Sequence, residues 1–213
     1  MNGFIRDQYW GQSLISYTVM QMLEPATREA CLDVLRRVSA MAGSADYLLI
    51  APAETFHLSL YAIAPVRSDF DKDAWWQIHG EQALAVFRRW CAAQPATLLR
   101  FRELRVTQTA VVAVAEPQEV VWSLRRVLRA EVPQPPGGTP NYDMIHMTLA
   151  RYAQPEKLPA DFAARVMTLP LDLKVRLFEP TLMRETAYPL LGGKPVETHA
   201  LRAPEPIMQE NVT

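Results

Sequence analysis

The chain predicts an α+β protein of two pseudo-symmetric lobes, with mostly antiparallel sheets, helices outside and a central cleft. Three observations carry this. Short β-rich runs alternate with amphipathic helical runs along the 213 residues. Proline or glycine marks most junctions. The tetrapeptide His-x-[Ser/Thr]-Leu occurs twice, as His57-Leu58-Ser59-Leu60 and as His146-Met147-Thr148-Leu149, once in each half.

Taken in order, residues 1–12 are polar and aromatic and read as an N-terminal arm. Ile15 to Leu23 is rich in β-formers and stops at Glu24-Pro25, a strand. Pro25 suits the first turn of a helix. Ala30, Val34, Val38 and Met41 then recur at helical spacing until Gly43 ends the run. Tyr47 to Ala51 is a short apolar strand bounded by Pro52, and Phe56 to Ala64 is the first motif strand, closed by Pro65. Trp75 to Cys91 is a helix whose Trp76, Ala83, Leu84, Phe87 and Trp90 share a face suited to core packing.

Thr97 to Val106 and Ala110 to Ala115 are strands. The helix after Pro117 buries Val120, Val121, Leu124 and Leu128, with Arg125, Arg126 and Arg129 near a solvated opposite face. The run Pro133 to Asn141 (PQPPGGTPN) excludes helix and central strand, and is expected as a flap beside the cleft. Met144 to Tyr152 is the second motif strand. Leu158 to Leu169 reads as a short helix, and Leu171 to Phe178 and Thr181 to Tyr188 as strands. Residues 204–213 read as a flexible tail, leaving 13–203 as one domain of two lobes.

Side chains alternate along a strand, so His57 and Ser59 share one face while Leu58 and Leu60 share the other. His146 and Thr148 are set against Met147 and Leu149 in the same way. A lone histidine in an apolar strand is usually a satisfied core or edge residue. The chain has only four histidines, and roughly 0.04 matches are expected by chance. Two pairs facing each other supply two imidazoles and two hydroxyls, the equipment for acid/base work on a phosphodiester.

Strict alternation also puts Tyr61 on the His57 face, to stack on a base or ribose, with core or rim packing as the alternative. Tyr142, just before the second motif strand, is a second stacking candidate. Arg151 is the candidate phosphate cation, because its guanidinium fork matches phosphate geometry. Alternation sets it opposite His146, so it reaches the site only if the strand twists, bulges or ends there; otherwise it forms a surface salt bridge. Arg184, in the closing strands, stays unassigned.

Composition bounds the rest. The net charge is −1 and 49% of residues are hydrophobic. That argues against disorder and against a long duplex nucleic acid as partner. Cys31 and Cys91 sit in helical segments without a Cys-x-x-Cys pattern, so no zinc site or disulfide framework is expected. Residues 1–12 lack an apolar signal core, and no run reaches membrane-span length. A cytoplasmic monomer with no membrane partner is expected.

These residues resemble the 2H phosphoesterase superfamily and, within it, the bacterial 2′,5′-RNA ligase-like cyclic phosphodiesterases. Beyond the two tetrapeptides, Tyr17 to Pro25 (YTVMQMLEP) resembles the family's opening strand. Leu98 to Leu104 with Ala110 to Pro117 resembles its mid-chain strand pair, and Val175 to Glu185 its closing strands. His146 to Arg151 (HMTLAR) is similar to the fuller second motif. The likeness covers roughly residues 13–190, and only the two motifs are specific. Ser59 stands where threonine is commoner, with the hydroxyl kept.

The resemblance implies a metal-independent, cofactor-free phosphodiesterase. Its substrate would carry a cyclic phosphodiester or 2′,5′-type linkage: a 2′,3′-cyclic nucleotide, an RNA end or a small cyclic nucleotide. His57 and His146 would be its acid/base pair, with Ser59, Thr148 and Arg151 on the phosphate. Which histidine is acid and which base stays open. The alternative is a non-catalytic nucleotide or RNA-end binding module on the same fold.

Overall fold

The computed structural model describes residues 3–203, so the expected tail lies outside the described residues. Strand β1 (Ser16–Met22) leads into helix α1 (Pro25–Ala42), with Pro25 in its first turn and Gly43 ending it at φ +89°. Then follow β2 (Leu48–Leu49), β3 (His57–Ala64), α2 (Lys72–Ala93), β4 (Thr97–Val106), β5 (Ala110–Ala115) and α3 (Glu119–Glu131). The chain continues with β6 (Ile145–Tyr152), α4 (Phe162–Met167), β7 (Leu173–Leu177), β8 (Thr181–Ala187) and β9 (Gly192–Thr198).

The strands form two antiparallel sheets. One has the order β3-β1-β8-β9, the other β2-β6-β5-β4-β7, so each holds one motif strand. Strand β5 (AVVAVA), at the centre of the larger sheet, is buried at every position. Its Val111, Ala113 and Ala115 join the main core, while Ala110, Val112 and Val114 pack with Met144 on the opposite, cleft-ward face. Helices α1 and α4 pack on the larger sheet. Helix α2 packs on α3, where the Trp90 indole N–H donates to Ser123 Oγ at 2.9 Å.

Four local expectations change. The strand read at Tyr47 to Ala51 shortens to Leu48–Leu49, because Tyr47 closes a 3-10 turn and Pro52 opens another. The helix at Leu158 to Leu169 contracts to Phe162–Met167 behind a 3-10 turn at Pro155–Lys157. Helix α2 starts earlier, at Lys72, where the Asp71 carboxylate accepts from the Ala74 N–H at 2.9 Å. Strand β9 (GGKPVET) has no apolar alternation to announce it; its ladder to β8 makes it a strand, and an edge position tolerates Pro195.

A fifth change concerns Arg125, placed by its neighbours on a solvated face. Val121, Leu124, Arg125 and Leu128 recur at the spacing of one helical face, so Arg125 lies within the buried stripe and is 5% exposed. Its Nε–H donates to the Leu60 carbonyl at 3.0 Å and Nη1 to the Met144 carbonyl at 2.9 Å. The rings of Trp122 and Tyr142 each lie 4.6 Å from its Cζ. Burial lowers its pKa to about 10, which leaves it charged at neutral pH. Arg126 and Arg129 do lie outside, on Glu119 and on the Pro140 carbonyl.

Arg125→Ala should therefore lower the free energy of unfolding by about 3 kcal/mol, since it strips charged donors from two buried carbonyls. Arg125→Lys should recover only part, because an ammonium lacks the fork. Chemical denaturation reads both; a loss under about 1 kcal/mol for the alanine variant would refute the clamp.

Candidate functional site at the convergence of the two motif strands

A backbone irregularity repeated in both motif strands decides what faces the cleft. In β3, His57 and Ser59 line the cleft and Leu58 is fully buried behind them. Tyr61 then pairs with Val19 while Ser59 pairs with the next residue, Met20, leaving Leu60 as the extra residue of a bulge. The strand's phase inverts there. In β6, Ala150 pairs with Val111 and Thr148 with Val112, leaving Leu149 extra.

The consequences are opposite for two predicted residues. Beyond the second bulge, Arg151 joins His146 and Thr148 in lining the cleft. Beyond the first, Tyr61 turns into the core at 1% exposure, which corrects the expectation that it stacks on substrate; Ala62 takes the cleft position instead. The Tyr61 hydroxyl donates to Thr139 Oγ1 at 3.0 Å and so anchors the 133–141 loop. Tyr142 does line the cleft, and its hydroxyl accepts the Ala62 N–H at 2.9 Å, satisfying a bulge amide.

The cleft holds about 430 Å³. His57 Nδ1–H donates to the Thr55 carbonyl at 2.8 Å, a bond that fixes the tautomer and leaves Nε2 free. His146 Nδ1 is buried with no hydrogen-bond partner among the described residues. Burial lowers the pKa of His57, with the Thr55 carbonyl opposing and the Arg151 cation adding to the fall. Burial also lowers that of His146, helped by the Arg125 and Arg151 cations and opposed by Asp143. Both imidazoles are thus biased toward the neutral form. Ser59 and Thr148 offer hydroxyls with no intramolecular partner among the described residues.

Arg151 is not a surface residue. Its Nε lies 3.1 Å from Oδ2 of buried Asp7, and its Cζ 5.2 Å from the Tyr188 ring. Asp7 belongs to the N-terminal arm, which is pinned to both sheets. Ile5 N–H donates to Gln108 O at 2.8 Å and Asp7 N–H to Tyr152 O at 3.2 Å. Gly11 N–H donates to Tyr188 O at 2.7 Å, and Tyr188 N–H to Gln12 O at 3.0 Å. The arm puts Trp10 into the cleft wall.

Trp10, Arg67, Glu185 and Tyr188 line the cleft without having been singled out from the sequence. None carries a motif, and Trp10 lies in a segment with no periodicity. Glu185 Oε2 accepts from Ser16 Oγ at 2.7 Å and Oε1 accepts the Leu190 N–H; burial raises its pKa. Its neighbour Arg184 points away, to Asp73, where the Tyr17 hydroxyl also donates at 2.6 Å. Those partners hold the Asp73 carboxyl down to about 2, chiefly through the Arg184 hydrogen bond. Cys31 and Cys91 are buried free thiols, each pushed up to about 12 by burial.

No family model matches the chain, and no curated protein matches it in sequence. Solved structures do match in three dimensions. TT0787 of Thermus thermophilus is 19% identical and covers 88% of this chain and 98% of its own, with TM-score 0.64. E. coli LigT, complexed with 3′-AMP, is 16% identical over 89% of this chain and 99% of its own, with TM-score 0.58. A crystal structure of a phosphoesterase is 17% identical over 90% and 99%, also with TM-score 0.58. In architecture the chain is an α+β protein that shares the fold of TT0787 and E. coli LigT.

Proposed function

We propose that the chain is a 2H phosphodiesterase that hydrolyses a cyclic phosphodiester or 2′,5′-type linkage in a small nucleotide or RNA end, without a metal ion. The observation that carries this reading is the convergence of both His-x-[Ser/Thr] pairs and Arg151 on one cleft. Crystal structures of LigT complexed with 3′-AMP, NADP+, ATP and phosphate support a nucleotide as ligand. Among the described residues, no group of three or more His, Cys, Asp or Glu side chains is placed to hold a metal ion.

In this reading the phosphate sits between the motif strands. Ser59 and Thr148 donate their hydroxyls to its non-bridging oxygens, and the Arg151 guanidinium balances its charge. One imidazole takes a proton from the attacking water while the other gives a proton to the leaving ribose oxygen. His57 keeps Nδ1–H on Thr55, so its Nε2 accepts a proton when the ring is neutral and donates one when it is charged. An incoming phosphate anion opposes the cations that hold both pKa values down, so substrate binding raises both. Binding thereby favours the charged form of the imidazole that serves as acid.

His57→Ala and His146→Ala should each lower turnover by at least about a hundredfold while the thermal transition stays cooperative. The assay panel is nucleoside 2′,3′-cyclic monophosphates, 2′,5′- and 3′,5′-linked dinucleotides and cyclic di- and trinucleotides, all with EDTA present. Wild-type rates in either variant would reject the two-histidine mechanism, and binding without turnover across the panel would favour the binding module.

The pH dependence gives a separate check. kcat/KM should be bell-shaped, because the free enzyme must hold one imidazole neutral and the other charged. Its centre should lie on the acid side of the ordinary histidine value, since both pKa values are lowered. Arg151 stabilises the neutral rings, so Arg151→Gln should move both limbs to higher pH, whatever it does to the height. An unmoved profile would mean that Arg151 does not act on the histidines.

A further inference from the structure

We infer that Trp10, carried by the N-terminal arm, is a nucleobase-stacking residue of the cleft, so that the arm belongs to the substrate site and the substrate carries an aromatic base. The inference rests on the proposed function and goes beyond it by naming the part of the substrate that sets affinity.

The other indoles of the chain all have partners. The chain has five tryptophans. Trp76 stacks on Tyr17 at 4.1 Å, and Trp122 lies under the Arg125 guanidinium. Trp90 donates to Ser123, and Trp75 is buried between Phe70 and His79. Each is committed to the fold. Trp10 is half-buried, lines the cleft, and has no ring, cation or hydrogen-bond partner for its side chain among the described residues. An indole face left open beside a site with phosphate-binding groups has the properties of a stacking platform, which suits any base because every base has a π-face.

Trp10 is also firmly placed. A turn closed by Gln12 N–H on the Tyr9 carbonyl at 3.0 Å presents it, with Gly11 at φ +76°. On one side, Tyr9 packs edge-on against Tyr188 with ring centres 6.5 Å apart, and the Arg67 guanidinium lies 5.2 Å from its ring centre. On the other, Asp7 faces Arg151. The segment that places the indole also holds the candidate phosphate cation, so base and phosphate would be read by one continuous wall.

The test compares ligands with and without a base. Dissociation constants for 3′-AMP and for inorganic phosphate are measured by calorimetry on the full chain, for wild type, Trp10→Ala and Trp10→Phe. KM and kcat are measured for the best panel substrate. Trp10→Ala should weaken 3′-AMP by about tenfold or more, keep phosphate within about twofold of wild type, and raise KM more than it lowers kcat. Trp10→Phe should restore much of the nucleotide affinity, as a structural loss would not. Wild-type 3′-AMP binding by Trp10→Ala, or an equal loss of 3′-AMP and phosphate, overturns the inference and leaves the proposed activity standing. A wild-type protein that binds neither ligand and turns over no panel member overturns both.

Discussion

The buried guanidinium of Arg125 is the constraint on which the rest of the site depends. The two motif strands belong to different sheets, so no backbone ladder between them sets their distance. Arg125 sets it from helix α3. It holds the carbonyl of Leu60, the extra residue of the β3 bulge, and that of Met144, the residue before β6. The Tyr142 ring packs against the same guanidinium, and the Tyr142 hydroxyl holds the Ala62 amide beyond the bulge. A cation removed from water is tolerable only when its donors are used and its faces are covered. Here two nitrogens are bonded and two aromatic rings flank the plane, with Nη2 alone left unbonded among the described residues. The same charge reaches the cleft, since after burial it helps to lower the pKa of His146.

Given that clamp, the repeated bulge decides the composition of the cleft. An unbroken strand would put Arg151 behind His146 and leave the site without its cation; it would also bring Tyr61 forward. One extra residue, the leucine that ends each tetrapeptide, reverses both outcomes. Ala62 and Arg151 stand at the same offset from their histidines, so the two halves share a backbone device but differ in what they place with it. The small residue leaves room in one wall, and the charged one sets a cation in the other.

Much of this is legible in the sequence, and the remainder is not for identifiable reasons. The histidines and their hydroxyls stand out because a motif occurring twice is its own control. Helix α1 stands out because Pro25 and Gly43 mark its ends with opposite backbone requirements. Arg125 is misleading because residue type and position conflict: an arginine suggests solvent, while its spacing to Val121, Leu124 and Leu128 marks the buried face. Arg151 and Tyr61 turn on a bulge, which leaves no composition signal when the extra residue is an ordinary leucine. Strand β9 and the ordered arm escape a sequence reading because tertiary hydrogen bonds form them, and neither carries a period.

The arm also governs how Arg151 is held. Asp7 offers Arg151 a carboxylate, but Oδ2 and Nε, though 3.1 Å apart, are not aligned as a hydrogen bond, and both atoms are buried and otherwise unpartnered. Such a pair cancels charge without using up the guanidinium's directional donors. Arg151 is held in place, yet its fork stays available to an anion that can align with it, as a phosphate's two oxygens can. Burial and Arg151 bias both histidines toward the neutral form, and Arg125 adds to that bias at His146 alone. Cleft, clamp and arm thus share one electrostatic logic: two cations fixed by the fold beside two imidazoles that are biased toward the neutral form.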